Sequence, residues 1–463
     1  MYGEWLILNY RVFATLALAV GSAAAQGLQP SQQSGQSDDQ SGQSRYAGPS
    51  ILSRDRSLIG ERSGKLLDYS FYVDITGSWD SSLTPVSTTS TGALNSTGGT
   101  AGISVGYGVT GSRTWRHDKL SVDYTGDFRQ FPSASYFDGT DQFLNLSYWH
   151  QFSRRLSLRA RDTAGVSSYS NGYFTYLPLQ STDLYAVPTN ELFDNRTEFL
   201  QSRVDLTYQK TLRLSLDIGG EGFLIDRRST ALASVTGYNA HADVSYRLSS
   251  RQTVTLSYEH TSFSYQRQFG DANMDQGTLG YSIGLGRRWD FASQIGSARV
   301  DFSGLTSINL DPAIAAILGQ STAVVAFHSV SYIPIYEAQL VRRFQHSSLT
   351  AAYNQSFSPG NGIYLTSRQT ASSVAYSYTG LRKLSFGINA AYSRLTSLGQ
   401  TLGTFNGITG GAGMTYTLAS YAHLEFRYDY RHYTANNDIY KQNSQRVVIG
   451  FAFSPGQKPL PIW

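Results

Sequence analysis

Two short segments of the sequence match the glycine-rich patterns of known catalytic and cofactor sites. Gly280 to Gly284 reads GYSIG, the pattern of a serine nucleophile, and Gly106 to Gly111 reads GYGVTG, the pattern of a dinucleotide-binding loop. A serine nucleophile of this kind needs a tight strand-to-helix turn, and a dinucleotide loop needs a helix that begins at once to meet the pyrophosphate. Here each segment belongs to a stretch with a two-residue apolar period, and no helical period follows. We interpret both as chance matches.

A third segment, DANMDQG, resembles the start of a calcium-binding EF-hand loop. Asp271, Asn273 and Asp275 have the spacing of its first ligands, but the twelfth position is Ser282, where the motif requires a bidentate glutamate. Since the segment lies in a predicted outer loop, three oxygen ligands could hold Ca²⁺ weakly, and the alternative is a plain polar loop tip. The sequence predicts no other metal site and no cofactor. The absence of cysteine excludes disulfides, thiolate metal sites and a cysteine nucleophile.

The eight histidines are scattered along the chain. His241 and His423, together with Ser282, are the candidates for a hydrolytic site of the kind found in barrel-embedded lipases and proteases. Both histidines fall in phase with polar neighbours, so we expect them to be solvated side chains and the protein not to be an enzyme.

The elements that carry these residues are long strands with one apolar face. Every odd position from Leu67 to Trp79 is apolar, aromatic or glycine, while Asp68, Asp74 and Asp80 occupy even positions. The same two-residue period recurs to the end of the chain and predicts about 18 strands, most of about 10 to 15 residues. Soluble proteins average about 5 to 6 residues per strand, whereas a tilted strand needs about 9 to 11 to cross a bilayer. The strand length therefore favours a membrane.

The predicted connections alternate between short turns and longer polar links. The short turns fall at Arg113–Trp115, Ser153–Arg155, Lys210–Thr211, Ser249–Arg251, Arg288–Ser293, Gln345–Ser347, Gly380–Arg382 and Ala419–Tyr421. The longer links span residues 81–99, 131–141, 169–196, 227–231, 266–276, 307–322, 358–369, 397–404 and 433–444. Outer-membrane barrels have short periplasmic turns and longer extracellular loops. The sequence thus predicts an all-β, transmembrane, antiparallel up-and-down barrel of 16 to 18 strands with both termini in the periplasm.

Two residues do not fit a regular barrel. Pro334 lies inside a predicted strand, where proline removes a ladder donor, so we expect a bulge there or an error in the twelfth strand. Asp162 shares a phase with Leu158 and Ala164, which would point it at lipid. We expect either a bulge near Arg161 or a position of Asp162 above the bilayer.

The ends of the chain differ in composition from this repeating part. Arg11, the apolar run from Val12 to Val20 and the alanines at 23–25 predict a signal peptide over residues 1–25. Residues 26–65 begin with a Gln/Ser/Gly-rich tract and are expected to form a flexible periplasmic tail and linker. The barrel is assigned to 66–454 and a short periplasmic tail to 455–463. The net charge of +4 and the scattered basic residues argue against nucleic acid as a partner.

The phase of each strand assigns its residues to a face. The residues predicted to face a wet lumen are Asp68, Asp74, Asp123, Asp127, Arg129, Arg159, Arg161, Arg213, Asp217, Glu221, His241, Asp243, Glu425, Arg427 and Asp429. The residues predicted to face lipid include Phe71, Val73, Ile75, Val447, Ile449, Phe451 and Phe453. The lumenal set carries both signs of charge, so the sequence does not indicate a preference for one sign of ion.

The alternating pattern over residues 66–454 resembles bacterial outer-membrane β-barrel proteins of the porin-like class. The last strand, RVVIGFAFS, ends in an aromatic residue and looks like the signal read by the barrel-assembly machinery, although this chain continues to Trp463. The resemblance implies passive passage of small hydrophilic solutes across the outer membrane, with the lipid of that membrane as surroundings. The alternatives are export of a polysaccharide, a barrel-embedded hydrolase and a surface β-protein without a channel.

Overall fold

The computed structural model describes residues 67–81, 99–133, 135, 138–167, 196–230, 232–266, 270–286, 288–309, 320–360, 362–398, 404–435 and 440–454. The predicted signal peptide, N-terminal tail and C-terminal tail lie outside these residues. The described residues form eighteen strands. They are β1 Leu67–Asp80, β2 Thr100–Thr114, β3 Asp118–Gln130, β4 Gly139–Gln151, β5 Leu156–Ser167, β6 Thr197–Gln209, β7 Leu214–Arg227, β8 Ser234–Ser249, β9 Gln252–Gln266, β10 Asp271–Leu285, β11 Trp289–Asn309, β12 Thr322–Arg343, β13 Ser347–Gly360, β14 Leu365–Tyr378, β15 Leu384–Ser397, β16 Thr404–Ala419, β17 Ala422–Ala435 and β18 Tyr440–Phe453.

Each strand pairs antiparallel with its neighbours in sequence, and β1 pairs with β18, so the sheet closes into a barrel. The closing ladder runs from Val73↔Phe453 to Asp80↔Arg446. Closure matters because every strand then has a neighbour on each side over at least part of its length. The predicted fold class and strand number are confirmed. None of the described residues forms a helix long and apolar enough to cross a bilayer.

Side chains alternate between the two faces of this barrel, as a two-residue period requires. On β1, Tyr69, Phe71, Val73, Ile75 and Trp79 are exposed on the outer face, while Tyr72, Ser78 and Asp80 are buried on the inner face. On β18, Ile449, Phe451 and Phe453 are exposed on the outer face. The outer surface is therefore a band of Leu, Ile, Val, Phe and Tyr, which is the surface that hydrocarbon solvates.

Long and short connections alternate around the barrel, but several long links are shorter than the sequence predicts. The prediction of 266–276 is wrong because β10 begins at Asp271, and 358–369 is wrong because β13 runs to Gly360 and β14 begins at Leu365. The predicted turn Arg288–Ser293 is also displaced, since β11 begins at Trp289. In the first two cases a polar stretch that resembles a loop continues the ladder beyond the apolar band.

Pro334 lies in β12 without a bulge, so the expectation of a bulge there is wrong. It is opposite Ser297 in an unshifted ladder with β11. On the other side, the ladder between β12 and β13 runs only from Arg343↔Ser348 to Tyr336↔Gln355 and ends before Pro334 is reached. Pro334 therefore lies where β12 has a free side, a position that tolerates a residue with no N–H.

Asp162 also lies in an unbroken ladder, which excludes the bulge expected near Arg161. It is opposite Leu146 on β4 and Ser202 on β6, on the same face as exposed Val204. The Ser202 hydroxyl donates a hydrogen bond of 2.6 Å to its carboxylate. This bond supplies a polar partner on an otherwise apolar surface.

An apolar cluster fills part of the barrel interior at the end with the longer links. It consists of Phe223, Ala233, Val235, Phe263, Tyr265, Ala272, Met274, Ala298, Val300, Phe302, Ile333, Ile335, Phe357 and Leu365. Phe357 has the phase of the outer face of β13, yet its ring lies 5.5 Å from that of Phe263 on the inner face of β9. The upper part of β13 therefore leaves the wall and packs inside the barrel.

Candidate functional site

The inner face of the barrel carries the charged residues, and all but two of the predicted lumenal residues are found there. The cross-strand pairs place Asp74, Asp123, Asp127, Arg129, Arg159, Arg161, Asp217, Glu221, His241, Asp243, Glu425, Arg427 and Asp429 on this face. Arg213 is an exception, because it lies in the short turn before β7 and is exposed, so its prediction as a lumenal residue is wrong. The side chain of Asp68 lies outside the described residues.

Asp205 is the centre of the largest ionic network, which spans β5 to β8. Its Oδ1 lies 2.8 Å from Arg203 Nε and 3.3 Å from His241 Nε2. Its Oδ2 lies 3.8 Å from Arg161 Nη2. Asp217 Oδ1 is 3.4 Å from the same His241 nitrogen, and Thr207 donates a hydrogen bond to the other oxygen of Asp217. The network holds three basic groups against two carboxylates on one side of the wall.

Three of these groups have types that could ligate a metal ion. One ligand atom each from Asp205, Asp217 and His241 falls within 4.8 Å of the others. However, both Asp205 oxygens contact Arg203, at 2.8 and 3.1 Å. A guanidinium this close competes with a cation for the same carboxylate, so the geometry is that of an ion-pair network.

A second set of charged residues lies on β17, β18 and β1 to β4. Arg129 Nη2 is 2.5 Å from Asp141 Oδ2, and both side chains are almost completely buried. Arg427 Nε is 2.8 Å from Asp429 Oδ2. Asp80 accepts a 3.0 Å hydrogen bond from Ser444, across the junction where the barrel closes.

The glycines of GYGVTG have a steric function at this second set. A Cβ at Gly106 would overlap the carboxylate of Asp74, and one at Gly108 would overlap the ring of Tyr72. The glycines make room for two interior side chains of β1. The segment lies wholly in β2.

Strands β13 to β16 form an uncharged part of the inner wall. They contain only two charged residues, Arg368 and Arg394, and both have the phase of exposed Val374 and Ile388 on the outer face. Their inner positions carry mainly Ser, Thr, Asn, Ala and Gly, for example Ser373, Asn389 and Thr409. The bore thus has one charged arc and one arc of small hydroxyl and amide side chains.

The remaining motif residues do not come together in a site. Asp271, Asn273 and Asp275 lie on the outer face of strand β10, so the prediction of a loop is wrong. Alternate residues of a strand are about 6.6 Å apart, too far to coordinate one calcium ion as a loop does. Asp275 is instead paired with His260 at 2.9 Å. Ser282 of β10 lies opposite Thr253 and Ala292, and His423 is fully buried on β17, seven strands away around the barrel.

Sequence reasoning missed Arg203, Asp205 and Asp141, although the same signal would have found them. In the stretch Arg203–Tyr208, the residues Val204, Leu206 and Tyr208 are exposed outside, so Arg203 and Asp205 have the inner phase. The sequence pattern that could have predicted the apolar cluster is weaker. The cluster lies where strands such as β7 are apolar on both faces, in Phe223, Leu224 and Ile225.

A closed antiparallel barrel that is apolar outside and charged inside is a transmembrane β-barrel of the outer-membrane type. No known protein family and no curated protein matches the sequence.

Among solved structures, the chain is similar in shape to three Pseudomonas proteins, one of which is named as a porin. Pseudomonas aeruginosa OccK2 (OpdF) in complex with glucuronate is 12% identical with a TM-score of 0.44, covering 84% of this chain and 98% of that one. A BenF-like porin from Pseudomonas fluorescens Pf-5 is 11% identical with a TM-score of 0.42, covering 84% and 99%. Pseudomonas aeruginosa OpdQ is 11% identical with a TM-score of 0.41, covering 86% and 98%. No conclusion about a solute follows from similarities this low.

Proposed function

We propose that the protein is an outer-membrane channel for the passive passage of small hydrophilic solutes. The observation that carries this proposal is the charged arc of the inner wall, in which Asp205 holds Arg203 and His241. Ionic side chains on the inside of a closed barrel are stable when they are hydrated or paired. A barrel of about 18 strands is too wide to be filled by its side chains, so its bore holds water unless another part of the chain fills it.

The apolar cluster indicates where the path runs. It packs Phe357 and Leu365 against strands on the opposite side of the interior, from β7 to β12, at the end with the longer links. The tip of the same hairpin also packs Tyr364 against buried apolar side chains on the inner faces of β15, β16 and β17. The solute path there is left to the remaining part of the wall, from β18 through β1 to β6. This part carries Arg129, Asp141 and Arg203.

Small solutes are favoured over a polysaccharide. Chains of sugars are guided by aromatic rings exposed along a bore, and the rings of Phe263, Phe302 and Phe357 are instead at most 7% exposed within the apolar cluster. We also propose the outer membrane as the location, with the longer links outside the cell and both ends of the barrel in the periplasm. Phe453, exposed at the end of β18, would then be the residue that the assembly machinery reads.

Planar-bilayer recording of the purified protein tests the channel. We expect stepwise conductance increases in potassium chloride, and swelling of proteoliposomes in a small sugar such as arabinose. The heat-denatured protein is the control and should give neither signal. A folded, membrane-inserted protein that produces no conductance steps would contradict the proposal.

A further inference from the structure

Among the described residues, β12 and β13 form no backbone ladder above the pair Tyr336↔Gln355. One side-chain hydrogen bond of 3.0 Å, from Gln355 Nε2 to the carbonyl of Pro334, crosses the gap at its lower end. Below Tyr336↔Gln355 the two strands are hydrogen-bonded neighbours down to Arg343↔Ser348. Above it, β12 continues to pair with β11 up to Asn309↔Thr322, and β13 continues to pair with β14 up to Gly360↔Leu365. We call this gap the lateral seam.

Two prolines account for the lateral seam, because they disfavour backbone pairing between β12 and β13. If the register of Tyr336↔Gln355 continued upward, Pro334 of β12 would lie opposite Phe357, and Pro359 of β13 would lie opposite Tyr332. Each strand would then meet its neighbour with a residue that has no N–H to donate. The two strands are therefore poor partners over this stretch, and the opening is a property of the sequence.

The upper part of β13 is fixed away from the wall by contacts inside the barrel. The Tyr265 hydroxyl donates a 3.0 Å hydrogen bond to the carbonyl of Pro359 and accepts one of 2.6 Å from the N–H of Thr366. Thr366 has a φ of 43°, a left-handed conformation that is unusual for a β-branched residue. The strained backbone at Thr366 is maintained because the tip of the β13–β14 hairpin is buried and hydrogen-bonded.

Apolar side chains flank the lateral seam on both the inner and the outer face of the barrel. On the inner side, Ile333, Ile335 and Phe357 belong to the apolar cluster. On the outer side, Val324, Val330 and Tyr332 of β12 are 68%, 42% and 75% exposed.

The neighbouring strands differ sharply from β12 at the same height. Arg299 of β11 is opposite Tyr332, and Asp301 is opposite Val330. Asp275 of β10 is in turn opposite Arg299. Since these positions are charged, the apolar outer face of β12 is not a continuation of the lipid-facing band of its neighbours. It is a track of exposed apolar side chains that ends at the lateral seam and is interrupted by His328, whose Nε2 lies 3.3 Å from Asp301 Oδ1.

We propose that the lateral seam is a port for small apolar solutes, such as a monoaromatic or short acyl compound. The solute binds the exposed track on β12, passes between β12 and β13, and reaches the apolar cluster. This second route goes beyond the proposed passage of hydrophilic solutes, because it uses the side of the wall that the charged arc leaves free.

Blocking the lateral seam with a bulky label tests the port. The chain has no cysteine, so Pro334→Cys can be labelled alone with fluorescein maleimide. We expect the label to slow uptake of N-phenyl-1-naphthylamine by porin-deficient cells several-fold relative to the unlabelled variant. Swelling of proteoliposomes in arabinose should not change, and this readout reports the hydrophilic channel separately.

The matched control is Asn273→Cys with the same label. Asn273 is exposed on the outer face of β10, opposite Asp301, and lies away from the lateral seam. Its label should leave dye uptake unchanged. Equal dye uptake with and without the label at position 334, or equal slowing in both variants, would overturn the port.

A second variant tests the seam without a label. Pro334→Val with Pro359→Val restores both donors, and we expect it to slow dye uptake and to protect seam-facing amides of residues 331–335 and 356–360 from hydrogen exchange. Equal protection in the wild-type protein would mean that the strands are already paired, and would overturn the proposal. So would a stable dimer that the label at position 334 dissociates, since the edge of β12 would then serve a second copy of the chain.

Discussion

Among single residues, two neighbouring glycines show how differently the two faces of the wall respond to added volume. A Cβ at Gly296 of β11 would overlap the backbone carbonyl of Gly277 and lie 2.7 Å from Thr278 Cα, whereas a Cβ at Gly277 would meet nothing within 4 Å. Backbone atoms of a closed ladder cannot move aside. We therefore expect Gly296→Ala to lower the free energy of unfolding by about 1–3 kcal/mol.

Gly277→Ala is the matched control, one cross-strand step away, opposite Ser297. It should raise the free energy of unfolding by about 0.5–1 kcal/mol, because alanine loses less backbone entropy than glycine. Urea unfolding in lipid vesicles, followed by tryptophan fluorescence, measures both variants. Equal effects would show that the close approach of β10 and β11 is not real.

Asp205 is the residue whose charge should matter most for conduction. It is 6% exposed and contacts Arg203, His241 and Arg161. Asp205→Asn keeps the shape and leaves these basic groups without their shared carboxylate. The bore then gains net positive charge, so the reversal potential in a potassium chloride gradient should move toward that of an anion-preferring channel.

Asp162→Asn provides the control, because it makes the same change of charge on the outer face of the adjacent strand β5. We expect no change in reversal potential for this variant. A shift as large as that of Asp205→Asn would mean that the assignment of inner and outer faces over β5 and β6 is wrong.

At the scale of the elements, the tip of the β13–β14 hairpin is tied into the barrel by several hydrogen bonds, two of which use the hydroxyl of Tyr265. Tyr265→Phe removes the acceptor of the Thr366 N–H and the donor to the Pro359 carbonyl. An unpaired buried group costs about 1–3 kcal/mol, which is enough to loosen the tip without unfolding the wall. We expect noisier and larger single-channel currents.

The outward-facing tyrosine on the same strand controls for the loss of a hydroxyl. Tyr258 is 53% exposed and donates a 2.8 Å hydrogen bond to Asp275. Tyr258→Phe should leave the single-channel current as in the wild type. Identical currents in both variants and the wild type would show that the tip does not narrow the path.

The elements also show which features the sequence could predict. The positions of the strands, and the face on which each residue lies, follow from the local alternation of polar and apolar residues. The alternation arises because one face of every strand contacts water and the other contacts lipid. The ends of β10 and β13 could not be read in this way, since Asp271 and Ser358 are polar whether a strand continues or a loop begins. The apolar cluster was beyond reach for another reason. It depends on Phe357 crossing the bore to Phe263, a contact between strands that are not neighbours.

For the whole molecule, the uneven inner wall follows from closure of the sheet. A closed sheet fixes which strands oppose each other, so the charged arc around Asp205 and Arg129 shares the bore with the uncharged strands β13 to β16. The lateral seam is the longest stretch over which a described strand has no ladder partner on one side. The proposed functions therefore all depend on β1 and β18 being neighbours.

A disulfide across the closing ladder tests this directly. Thr76 lies opposite Gly450, and a Cβ at Gly450 would be 2.6 Å from Thr76 Cγ2. With no native cysteine, Thr76→Cys with Gly450→Cys should form an intramolecular disulfide on mild oxidation, after slight adjustment of the two side chains. The boiled, oxidised protein should then run differently from the reduced protein in SDS gels.

The control pair is Thr76→Cys with Thr409→Cys, three strands away around the barrel on β16. Neighbouring strands are about 4.8 Å apart, so three strand steps alone separate this pair by about 14 Å, and the offset along the strands adds to this distance. A disulfide needs Cα atoms within about 7 Å, and the control should not cross-link. Equal cross-linking of the two pairs, or none at β1 and β18 in the folded protein, would show that the sheet is not closed. The bore, its charged arc and the lateral seam would then have no structural basis.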